Sequence, residues 1–110
     1  MPQQVARWHL VGLGLFASGF AAAGVIVASR AGSSAGYYAA VVVGLVGATV
    51  LARQGGRVAS DLRVPPIWSP RGIARVADGA AVPALPVVVV FYVLIAVSII
   101  GNVVIPLATR

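Results

Sequence analysis

The sequence predicts an all-α integral membrane protein, with three transmembrane helices and a short amphipathic interfacial helix between the second and third. Two observations carry this. Of 110 residues, 60% are hydrophobic and 9% charged, against about 25% charged in soluble domains, so polar side chains are too few to cover a water-soluble globule. Five of the eight arginines and both acids are also concentrated between Arg53 and Gly79, leaving long uncharged runs on either side. The whole of 1–110 reads as a single membrane domain, with spans at about 10–29, 36–52 and 84–107 and a cytoplasmic connection at 53–83.

The first span is LVGLGLFASGFAAAGVIVAS, Leu10 to Ser29. Its twenty residues, at about 1.5 Å each, cross the roughly 30 Å hydrocarbon layer. A secretory signal peptide is the rival reading, because Arg7 precedes the run and small residues follow it, but the run exceeds the apolar core such peptides use. GYYAAVVVGLVGATVLA, Gly36 to Ala52, gives the second span and is joined to the first by a short turn, which makes an antiparallel hairpin. The third, from Ala84, contains a valine run that resembles a buried strand; it is too long for one, and a lone strand could not satisfy its backbone in lipid. Pro106 removes a helical hydrogen bond and crowds the carbonyl four residues back, so a kink or early helix end is expected there.

Within the connection, Pro65 and Pro66 interrupt the preceding helix. Ser69 reads as an N-cap and Pro70 as a first helical residue. Ile73, Val76, Ala77 and Ala80 would then share one face, opposite Arg71, Arg75 and Asp78. Such a helix lies on a membrane surface, anchored by Trp68.

Arg7 and the five arginines of the connection fall on one side of the membrane, with Arg30 and Arg110 on the other. Six against two places the amino terminus and the connection in the cytoplasm and the carboxyl terminus outside. The same arginines, Arg53, Arg57, Arg63, Arg71 and Arg75, together with Trp68, are candidate contacts for lipid headgroups or a partner protein. Nucleic acid is not the expected partner of the +6 charge, because the arginines flank apolar runs and form no continuous stripe.

Packing in lipid depends on small residues that let backbones approach. Gly36, Ala40, Gly44, Ala48 and Ala52 form a four-residue ladder along the second span. Gly14, Ser18 and Ala22 form a stripe on the first, with Gly12, Gly19 and Gly24 nearby. The simplest expectation packs ladder against stripe; docking of a partner is the alternative. Asn102, the one strongly polar side chain deep in a span, reads as interhelical glue, with an ion or substrate path as the rival.

Catalytic candidates are few. The chain has no cysteine and one histidine, His9, which reads as an interfacial polar residue because a metal or haem would need further ligands. No serine has a histidine and acid arranged to activate it, and Gly55-Gly56 lacks the pattern of a phosphate loop. The expectation is a non-enzymatic chain without a cofactor, metal or catalytic residue, an accessory or assembly subunit of a larger respiratory or transport complex in the cell membrane. Its partners are the lipid bilayer and a membrane protein or further copies of itself. The alternatives are a self-assembling small channel or carrier, and a structural protein of an envelope or virion membrane.

Overall fold

The structure, a computed structural model, describes residues 3–29, 34–62 and 69–109. The described chain is helical: α1 (Gln3–Ser29), α2 (Ser34–Leu62), α3 (Pro70–Gly79), α4 (Ala84–Ile99), a π-helical turn (Ile100–Val104) and α5 (Ile105–Ala108). Three stretches are long and apolar enough to cross a membrane: Gln3–Ser29, Ala35–Gly56 and Ala84–Ala108. The long dimension of 44 Å matches a bilayer of about 40–45 Å with its headgroups.

α1 is the middle helix. It packs against α2 on one flank and α4 on the other, while α2 and α4 make no contact among the described residues. The composition of α1 explains this position, since Gly12, Ala17, Gly19, Ala21, Ala23 and Gly24 are all buried and small side chains allow a neighbour on each flank. α4 buries no residue within the chain, so its Val- and Ile-rich surface is left for lipid or another protein.

α2 runs on through Gly55-Gly56 to Leu62, although paired glycines disfavour a helix. Tertiary contact offsets this. Val58, fully buried, joins Ala6 of α1 with Val76 and Ala80 of the α3 region in one apolar cluster.

α3 forms where the serine, the proline and the spacing of apolar residues predict it. Ser69 Oγ accepts a hydrogen bond from Gly72 N at 3.1 Å, and Pro70 occupies the first turn. Ile73, Val76, Ala77 and Ala80 are fully buried, with Arg71, Arg75 and Asp78 exposed on the other side. The apolar face is thus occupied by protein, since α3 packs on α1, α2 and α4. Trp68, the expected anchor, lies outside the described residues.

The end of α3 carries a local cost. Val82 N donates to Ala77 O at 3.0 Å and Ala81 N to Asp78 O at 3.1 Å, the paired bonds of a Schellman motif. Ala81 therefore takes the left-handed position, with φ at 59°, where a Cβ is disfavoured by about 1–2 kcal/mol. Replacing Ala81 with glycine is expected to stabilise the fold by about 0.5–1 kcal/mol, read as a higher thermal midpoint; a lower midpoint would show that this turn does not limit stability.

Pro106 neither ends the helix nor breaks it. The register changes one turn earlier: Ile105 N donates to Ile100 O, five residues back, and the helix continues to Ala108. A proline within a span frees the carbonyl four residues before it, and a π turn is one way a membrane helix accommodates that loss.

Candidate helix-packing site

Glycines make the α1–α2 seam. A Cβ placed on Gly19 would stand 2.7 Å from Gly44 Cα and 2.8 Å from Ala40 O, and one on Gly47 would stand 2.7 Å from Phe16 Cα and 2.8 Å from Gly12 O. Both would meet backbone, which cannot move aside as a side chain can. A Cβ on Gly12 would meet Val50 and Leu51, so rising numbers on α1 meet falling numbers on α2 and the pair is antiparallel. The Phe20 ring lies over Gly44, where a Cβ would be 2.6 Å from Cδ2, and packs edge-on against Phe16 at 5.3 Å.

The seam corrects the expected pairing. On α1 the contact runs along Gly12, Phe16 and Gly19, whereas Gly14, Ser18 and Ala22 are exposed and a Cβ on Gly14 would meet nothing within 4 Å. On α2, Ala40 and Gly44 face α1, joined by Gly47, which the ladder omitted. Gly36 and Ala48 are half-buried and Ala52 is exposed. Helical geometry explains why. At about 100° per residue, a strict four-residue step rotates about 40° each time, so the ladder drifts about 160° between Gly36 and Ala52. Steps of four and three, as in 12, 16, 19 or 40, 44, 47, nearly cancel and hold one flank toward a neighbour.

The α1–α4 seam turns on another glycine pair and an asparagine. A Cβ on Gly101 would stand 2.6 Å from Gly24 Cα, so here too backbone meets backbone. Asn102 Nδ2 donates across the helices to Phe20 O at 3.1 Å and back along its own helix to Ser98 O at 2.9 Å. Gly24 makes this reach possible, since a Cβ there would come within 3.1 Å of Asn102 Nδ2. Contacts at Gly24–Gly101 and around Ala28 and Ile105 rise together in number, so α1 and α4 are parallel.

No family model, curated protein or solved structure matches the chain. What the site can do is therefore read from its residues alone. The hydroxyls in the spans bond within their own helices, Thr49 Oγ1 to Leu45 O at 2.9 Å and Ser18 Oγ, more weakly, to Leu15 O at 3.5 Å, a common way to satisfy a polar group locally. His9 is 1% exposed: it stands one turn from buried Ala6, on the flank of α1 that the rest of the fold covers. Its Nδ1 has no hydrogen-bond partner among the described residues, and neither has Gln54 Oε1. Positions 9 and 54 continue the antiparallel register of 16 with 47 and 19 with 44, so both atoms belong to one level of the hairpin.

Of the candidate headgroup contacts, Arg53, Arg71 and Arg75 are exposed. Arg63, Trp68 and the side chain of Arg57 lie outside the described residues. Among the described residues no group of three histidine, cysteine or acidic side chains gathers in a metal-holding cluster.

Proposed function

We propose that this chain is a small non-catalytic subunit that assembles with larger proteins of a membrane complex, respiratory or transport. One observation favours this over a channel or carrier. The Asn102 amide, the deepest strongly polar group, is committed to the Phe20 and Ser98 carbonyls. A side chain bound in this way holds helices together and is poorly placed to line a path for ions. The outer sides of α2 and α4, open at bilayer depth, are the surfaces on which neighbouring spans would pack. α3 would lie at the cytoplasmic surface with Arg71 and Arg75 toward headgroups, and the six-to-two arginine count would hold the amino terminus inside and the carboxyl terminus outside.

A tag fused after Arg110 tests both statements. Purified in mild detergent, the tagged protein is expected to bring larger membrane proteins with it in fixed stoichiometry, and in intact cells the tag is expected to be cut by protease added outside. Recovery as a lone homo-oligomer that conducts ions in liposomes would overturn the subunit reading, and a tag protected in intact cells would reverse the orientation.

A further inference from the structure

We infer that the groove between α1 and α4 binds one acyl chain of an anionic glycerophospholipid whose phosphate is held by Arg7. Val11, Gly14 and Ala17 of α1 and Pro86, Val90 and Leu94 of α4 line an open hollow of about 470 Å³, within the roughly 300–1,000 Å³ of small-molecule sites. The lining is apolar throughout. The groove exists because Gly14 contributes no side chain and nothing lies within 4 Å of where a Cβ would be.

Its length and ends define the occupant. From Pro86 to Leu94 the groove follows α4 for about 12 Å, close to the roughly 15 Å of hydrocarbon in one leaflet. Arg7 is exposed, precedes Val11 by four residues and Gly14 by seven, and so stands on the same face of α1 one turn beyond the groove. From Ala17 at the deep end to Arg7 is about 15 Å along the helix, which sets the guanidinium at headgroup depth when the chain fills the groove. An arginine at that depth extends its apolar stem along hydrocarbon and its charge to the phosphate. A zwitterionic lipid fits the same groove but carries a compensating positive charge, so Arg7 selects the anionic one. The inference needs only the chain in a bilayer and is independent of the subunit assignment.

The test is native mass spectrometry of the purified full chain released from nanodiscs of equal phosphatidylglycerol and phosphatidylethanolamine. One phosphatidylglycerol per chain is expected to remain bound. Arg7→Gln should lower its preference over phosphatidylethanolamine about fivefold, while Arg30→Gln, at the opposite end of the first span in the sequence, should leave the preference as it was. Gly14→Leu fills the groove and should remove the retained lipid of either class. Equal effects of the two arginine changes would overturn the inference, as would full retention in Gly14→Leu. A change of oligomeric state in Gly14→Leu with lipid retention intact would assign the groove to a second copy of the chain and overturn it too.

Discussion

Alanine at Gly47 or at Gly19 separates α1 from α2 and lowers stability by about 1–3 kcal/mol, the usual cost of forcing extra carbon into a packed interface. The Cβ atoms would lie 2.7 Å from Phe16 Cα and Gly44 Cα, so the whole helix must shift to admit them. Gly44→Ala meets the Phe20 ring instead, which can turn, so its cost is expected near 0.5–1.5 kcal/mol, about that of an off-rotamer side chain. Gly44→Leu exceeds what the ring can yield and belongs with the severe pair. Gly14→Ala costs nothing at the seam, and helix propensity favours it. Unfolding midpoints of the five variants in one detergent check the ranking; equal losses at positions 14 and 47 would mean that the seam lies elsewhere.

That ranking separates what was legible in the sequence from what was not. The spans are local properties of uncharged length, and α3 is a local property of Ser69, Pro70 and the spacing of Ile73, Val76, Ala77 and Ala80, so both could be read from the chain. Which flank of α1 meets α2 is not local. Two small-residue stripes were present, one through Gly12 and Gly19 and one through Gly14, Ser18 and Ala22. The seam uses the first, which contains Phe16, because a large side chain can stand beside a contact made by its own backbone. A search for small residues alone passes over it. His9 illustrates the same limit: its neighbours Arg7 and Trp8 are exposed, and its own burial depends on helices that return to that end of α1 from far along the chain, as Val58 and Val76 return to Ala6. Pro106 announced an irregularity, but a kink, a helix end and the π turn found at Ile100–Val104 all answer the loss of one helical hydrogen bond, and the local sequence does not choose among them.

Gly101→Ala is accordingly expected to release α4 from α1, at a cost of about 1–3 kcal/mol. Its Cβ would strike the Gly24 backbone, and the displaced helix would also lose the Asn102 to Phe20 hydrogen bond. Asn102→Leu leaves the glycine contact and removes that interhelical bond, together with the one to Ser98 O on its own helix. Interhelical hydrogen bonds in membrane proteins average about 0.6 kcal/mol and reach about 1.7, so Asn102→Leu should be the milder change. The chain has no cysteine, which makes a disulfide between Ala28→Cys and Ile105→Cys, two positions lining one hollow of this seam, an unambiguous reporter of helix proximity. Gly101→Ala should reduce its yield sharply and Asn102→Leu only slightly. If Asn102→Leu proves the more damaging of the two, the hydrogen bond rather than the glycine contact holds α4, and the close approach of Gly101 to Gly24 is its consequence instead of its cause.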